Sequence, residues 1–280
     1  MAKYSLLPEQ LMYEGTLTRD QIIHPSLLPE KRILRTHSAA YWQQLKDLTL
    51  PGKAQRKIGF PLSQQLIDRE RTICQGTVDL AVHALTHQSA GLNVAGGTHH
   101  AYYDHGEGFC ILNDIIIGAH HLIDFHGLER ILVIDLDVHQ GNGTAVLTQG
   151  DPRIYTFSMH GAKNYPYHKE TSDLDIPLED FTGDHIYLST LEESLEKLFN
   201  TVQPEFVFFQ SGVDVLQGDK LGRMGLTLQG CKRRDELVFE YCKRHLTPVV
   251  AVMGGGYSPK IKTIIEAHAN TFRLASFYFG

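Results

Sequence analysis

The sequence predicts a single α/β domain with a mostly parallel central β-sheet and helices on both of its faces. Three observations carry that prediction. From about residue 90 onward, short runs that are apolar on both faces, as a buried parallel strand requires, alternate with longer segments of helical period. No repeat, low-complexity tract or long Pro/Gly/Ser linker divides the chain. Its 280 residues, 42% hydrophobic and 21% charged, suffice for one full core and lie far from the composition of disordered or membrane-embedded chains.

The elements follow in order. Leu27 to Leu48 reads as mostly helical, and Leu50 to Pro61, punctuated by Pro51, Gly52, Gly59 and Pro61, reads as a loop; both are expected to pack around the sheet. Helices are predicted at Gln64 to Gln88, Asn113 to Phe125, Gly183 to Thr201, Leu228 to His245 and Tyr257 to His268 from their apolar spacing. The five strands are Gly91 to Val94, Ile131 to Leu136, Ile154 to Phe157, Phe206 to Gln210 and Val249 to Met253, each short and rich in branched or aromatic residues.

Charge excludes some functions. With 26 basic against 32 acidic side chains, a formal net charge of -6 gives no electrostatic case for nucleic acid or an anionic membrane, although histone tails and small cations remain compatible. The four cysteines form no CxxC pair, and Met1 to Gln10 lacks the features of a signal peptide, so a reducing, cytoplasmic setting is expected. No window approaches 18 uninterrupted apolar residues. The 16 histidines direct attention to metal and proton chemistry.

In an open parallel sheet, side chains at the carboxyl ends of the strands converge on one crevice. The five predicted ends lead into Gly96-Gly97-Thr98-His99-His100, Asp135-Leu136-Asp137-Val138-His139, Ser158-Met159-His160, Ser211-Gly212-Val213-Asp214 and Gly254-Gly255-Gly256-Tyr257. Asp137 and His139, two residues apart at a fraying end, offer a carboxylate and an imidazole to one cation. With Asp214 they make a three-ligand set that leaves a coordination position open, as catalytic sites do. Zinc and iron(II) both suit such ligands. A dinuclear site would need a further carboxylate two residues after His139, where the chain has Gly141.

His99 and His100 follow two glycines that let the backbone approach a ligand closely, and the pair suits general base and acid roles. The Gly-rich turn before Tyr257 lacks the endings of phosphate-binding loops, which leaves it to swing the Tyr257 hydroxyl toward a developing oxyanion. Other candidates are set aside. His83 and His87 lack the Glu of a zincin motif and read as surface residues, His120 and His121 as solvated, Lys232 to Glu236 as a solvated helix face, and Cys110 as a buried inert thiol.

These motifs together resemble the zinc-dependent histone deacetylases of the arginase/deacetylase superfamily, most of all their class IV-like bacterial single-domain members. The resemblance rests on Gly96-Gly97-Thr98-His99-His100-Ala101, Gly108-Phe109-Cys110-Ile111-Leu112-Asn113-Asp114, Asp135 through Gly143, Gly212-Val213-Asp214 through Gly218-Asp219, and Gly254-Gly255-Gly256-Tyr257. It covers the chain from about residue 55 to its end.

The resemblance implies that Asp137, His139 and Asp214 hold Zn2+ or Fe2+, that His99 and His100 are the catalytic pair and that Tyr257 polarises the carbonyl. It further implies that Asp135 hydrogen-bonds His99, and that Gly108, Phe109, Tyr165, Leu221 and Gly255 form a narrow acyl-lysine tunnel. A potassium ion near Asp135, Asp137, His139 and Ser158 is implied as well. Asn142 stands where many members have an aspartate, so it orients His100 without raising its basicity as a carboxylate would. Relatives usually begin with a further strand ahead of the segment matching Lys3 to Leu7, which implies that residues 1–280 lack that first strand.

The expected activity is metal-dependent hydrolysis of an N-acyl amide, on an acylated lysine of a peptide or protein or on an acylated small amine. Acetylpolyamine hydrolysis and acyl-ligand binding without turnover are the two alternatives.

Overall fold

The computed structural model describes residues 2–280. Its six strands are β1 (Ala90–Asn93), β2 (Ile131–Asp135), β3 (Ile154–Gly161), β4 (Leu174–Leu178), β5 (Phe206–Gln210) and β6 (Val249–Val252). They form one sheet in the order β1-β6-β5-β2-β3-β4, with every pairing parallel. The α-helices are α1 (Lys3–Tyr13), α2 (Glu30–Thr36), α3 (Ala39–Lys46), α4 (Gly52–Ile58), α5 (Gln64–His87), α6 (Asp114–His126), α7 (Asn142–Thr148), α8 (Asp184–Val202), α9 (Leu228–Arg244) and α10 (Ile261–Phe279). None is long and apolar enough to cross a membrane.

Alternation along the central strands fixes the two layers, because successive side chains point to opposite faces. Leu132, Ile134, Val207, Phe209, Val249 and Ala251 share one core with α8, α9 and α10. Their neighbours Ile131, Val133, Phe206, Phe208, Val250 and Val252 share another with α5 and α6. Each fully buried Phe or Leu in these layers is worth about 1.5–3 kcal/mol of burial. Caps set the helix ends: the Asn113 side chain accepts from Ile116 N at the start of α6, and Gly127 closes it in the left-handed region at φ 68°.

All five predicted strands and the helices from residue 64 onward are present, with ends shifted by a residue or so in most cases. The departures have physical causes. β4 escaped the sequence reading because its Leu-Asp-Ile-Pro-Leu run is only half buried; it is an edge strand, where Pro177 is tolerated. Residues 52–58 are helical rather than a loop, since Pro51 and Gly59 punctuate a short helix from outside, with Gly59 in the left-handed region at φ 86°. The final helix begins at Ile261, not Tyr257, and runs to Phe279.

Three side-chain expectations are corrected. Arg234 and Asp235, within the stretch expected to be solvated, are both fully buried, because α9 turns that flank onto the strand ends. His120 and His121 are also buried, because α6 lies under α2 and α5, and Thr36 Oγ1 sits 2.9 Å from His120 Nδ1. His83 and His87 are exposed, as expected.

Candidate active site

The carboxyl ends of β1, β2, β5 and β6 open onto a cavity of about 620 Å³. At its floor Asp137, His139 and Asp214 offer ligand atoms that all lie within 4.8 Å of one another. His139 Nδ1 is 3.0 Å from Asp137 Oδ1 and 3.3 Å from Asp214 Oδ2. The remaining oxygens are occupied by backbone: Asp137 Oδ2 accepts from Gly255 N at 2.8 Å and Asp214 Oδ1 from Val138 N at 3.0 Å. Asp214 Oδ2 is buried with no hydrogen-bond partner. Burial opposes charge on His139, yet the neighbouring carboxylates of Asp137 and Asp214 push its pKa up to about 10; burial and the charge of Asp137 raise Asp214. Two buried carboxylates thus place a strong demand for positive charge at one point. An orphaned carboxylate oxygen beside an imidazole and a second carboxylate fits a divalent metal, with zinc and iron(II) both compatible.

Above this point lie His99 and His100, their ring centroids 4.0 Å apart. His99 Nδ1 faces Asp135 Oδ2 at 2.6 Å, and His100 Nδ1 faces Asn142 Oδ1 at 2.6 Å. The two imidazoles differ electrically. Burial opposes protonation of His99, but the Asp135 carboxylate outweighs it and its pKa is raised. Burial, helped by the fields of His99 and His139, holds His100 well below the ordinary imidazole range. Behind Asn142, whose Nδ2 donates to Glu107 Oε1 at 2.7 Å, a carboxylate completes the chain at one remove from the ring.

The walls come from four separate segments. Gly108, Phe109, Tyr165, Leu221 and Gly255 all line the cavity. Tyr165 meets His100 edge to face at 5.1 Å, and Phe109 lies 6.1 Å from Tyr257. Phe109 and Leu221 are 42% and 44% exposed, which marks them as the rim. Gly108 N donates to Lys57 O at 3.1 Å and Phe109 N to Ile58 O at 2.9 Å, so the short helix α4 anchors the rim. Gly108 is at φ +54°, and a Cβ there would meet His100 Cδ2 at 2.6 Å; a larger residue would displace the imidazole. Burial, then the charges of Asp214 and Asp137, raises the Tyr257 phenol and keeps it a proton donor. Ser158 pairs in register with Asp135 across β2 and β3, and its Oγ lies 3.0 Å from His160 Nδ1. Cys110 lines the cavity too, and burial raises its thiol well above the ordinary range.

Several positioning residues escaped the sequence reading. Asp114 accepts from Gly97 N, Thr98 N at 2.8 Å and Thr98 Oγ1 at 2.6 Å, pinning the loop that carries both histidines. Asp219 accepts from Leu221 N at 2.8 Å through one oxygen and from Tyr257 N at 2.6 Å through the other, tying the rim to the tyrosine turn. The buried Lys3 donates to Gly254 O at 3.0 Å and lines the cavity. For Asp114 and Asp219 the signal was present, since each lies within one of the motifs above, although the residues they hold are largely in other motifs; for Lys3 there was none.

The histone deacetylase domain family matches residues 1–272. An uncharacterized protein from the cyanobacterium Picosynechococcus sp. is 42% identical over 276 residues, covering 98% of this chain and 91% of that one. Histone deacetylase 2 of Arabidopsis thaliana is 29% identical over 94% of this chain and 70% of its own. An HDAC homolog from Aquifex aeolicus superposes with a TM-score of 0.84 at 23% identity, covering 98% of this chain and 77% of that one, and a crystal structure of an HDAC homolog complexed with SAHA gives the same score. On the match across nearly its whole length, the chain belongs to the histone deacetylase family.

Proposed function

We propose that the protein hydrolyses N-acyl amides, with N-acetyl-lysine of a peptide or protein as the preferred substrate. The observation that carries this reading is the buried, unpartnered Asp214 Oδ2 closing a three-atom cradle with Asp137 and His139, directly below the paired imidazoles. Zinc or iron(II) held there supplies Lewis acidity toward the amide carbonyl and makes water more acidic.

The chain's own residues do the rest. His100, kept neutral by burial, accepts the proton of the attacking water through Nε2 while Asn142 holds its Nδ1 proton. His99, backed by Asp135, supplies a proton to the departing amine. The Tyr257 hydroxyl donates to the oxyanion as the carbonyl becomes tetrahedral. Phe109 and Tyr165 flank an extended lysine chain and exclude water from it. Lys57 and Lys220 also line the cavity, and their charges favour a neutral acyl-lysine over a cationic acylpolyamine.

The test is acetate release from an acetyl-lysine peptide and from N-acetylputrescine by protein loaded with zinc or iron(II). Turnover of the peptide, abolished by chelator and restored by metal, is expected. Metal-loaded protein that turns over neither substrate, nor peptides carrying longer acyl groups, would overturn the reading.

A further inference from the structure

We propose that Arg234 and Asp235 form a buried pair that positions the metal-holding carboxylates Asp137 and Asp214 by gripping the backbone at the ends of β2 and β5; this rests on the metal reading above. Both residues are 0% exposed. The Arg234 guanidinium donates through Nη1 to Leu136 O at 3.2 Å and to Gly212 O, and through Nη2 to Ser211 O at 3.2 Å. Leu136 directly precedes Asp137, and Ser211 and Gly212 lead into Asp214. Gly212 also packs against the Asp137 carboxylate.

Beyond the last ladder bonds, strand-end carbonyls must find other donors. One planar guanidinium with five donors spans two strands at once. Asp235 completes the clamp: its Oδ1 accepts from Arg234 Nε at 2.8 Å, and its Oδ2 accepts from Thr271 Oγ1 at 2.6 Å, so α9 and α10 both hold the guanidinium in place.

A fully buried ion pair is poor value as mere core filling, since apolar residues of similar volume are often as stable or more so. What the apolar residues lack is donors for Leu136, Ser211 and Gly212. Arg234 touches neither substrate nor the ligand atoms and is therefore a positioning residue.

Two variants test the proposal: Arg234→Lys, which keeps the charge but cannot span both strands, and Arg234→Met/Asp235→Asn, which removes the charge without stranding a carboxylate and leaves Thr271 its acceptor. Zinc affinity is measured by chelator competition, ligand geometry by the visible spectrum of the cobalt(II)-loaded protein, and folding by melting of the metal-free protein. Zinc affinity about 10–100-fold weaker is expected, with an altered cobalt spectrum and a fall in kcat at nearly constant KM. The metal-free double variant should still fold, melting below wild type because three buried carbonyls lose their donor.

Wild-type zinc affinity and cobalt spectrum in both variants, with only melting changed, would reduce the pair to a packing element and overturn the proposal; so would failure of both variants to fold. Wild-type protein that binds neither zinc nor cobalt would instead remove the metal reading itself, and that control is read without any variant.

Discussion

Replacing Tyr257 by phenylalanine isolates the oxyanion donor from everything else the residue does. The turn is held by the main chain, where Tyr257 N donates to Asp219 Oδ2 at 2.6 Å, and the ring packs 6.1 Å from Phe109. Both survive in Tyr257→Phe, so the change removes one hydroxyl facing a cavity and should alter stability by no more than about 0.5 kcal/mol. Loss of one donor that acts mainly in the transition state costs about 2.7–4 kcal/mol, or about 10²–10³ in kcat. Ground-state binding rests on the tunnel walls, which are unchanged, so KM should stay within about twofold. Steady-state hydrolysis of an acetyl-lysine peptide by the metal-loaded variant measures both. Turnover at the wild-type rate, or a loss expressed entirely in KM, would refute the assigned role.

Other perturbations test the electrostatics. Burial pushes the Glu70 carboxyl up to about 7, with Arg69 opposing and Asp114 reinforcing the shift, while Arg69 Nη1 lies 2.6 Å from one oxygen and the other has no partner. A carboxyl whose folded pKa exceeds its unfolded value contributes stability that is fully present below about pH 4.5 and lost as pH rises through about 7. At about 1.36 kcal/mol per pH unit that loss is roughly 3 kcal/mol, so Glu70→Gln should gain on wild type in melting temperature across this window; parallel curves would refute it. Asp214→Asn should leave the metal-free protein folded, because the carboxylate charge it removes is opposed by burial and by Asp137, while the contact with His139 at 3.3 Å is lost. The same variant should abolish the thermal stabilisation that zinc gives, about 2.7 kcal/mol at 100 times Kd, and zinc-dependent melting equal to wild type would count against the site. Cys110, raised by burial, should resist iodoacetamide in the folded protein at pH 8 and react on unfolding; rapid native alkylation would contradict its inertness.

What the sequence disclosed and what it withheld divide along one physical line. Buried parallel strands announce themselves because both faces are apolar, and polar residues immediately beyond them have few places to go except the crevice. Asp137, His139, Asp214, the histidine pair and Tyr257 were therefore placed at one sheet edge by local reading, and the structure brings them around one cavity. The edge strand at Leu174–Leu178, half exposed and carrying Pro177, gives no such signal. Nor does the helix at Gly52–Ile58, whose flanking Pro51 and Gly59 read equally well as loop punctuation. The misread charges are the most instructive. Lys232 to Glu236 looks like a solvated flank on any window of its own length. Yet Arg234 is fully buried because its partners are carbonyls 22, 23 and 98 residues away. Periodicity measures how often a position faces the core, and composition measures what it costs to put a charge there. Neither measures whether the chain elsewhere has left carbonyls needing a donor. That need exists at the carboxyl ends of strands, where the ladder stops and the chemistry begins, so a charged residue on a helix packed against those ends has a reason for burial that its own neighbourhood cannot display.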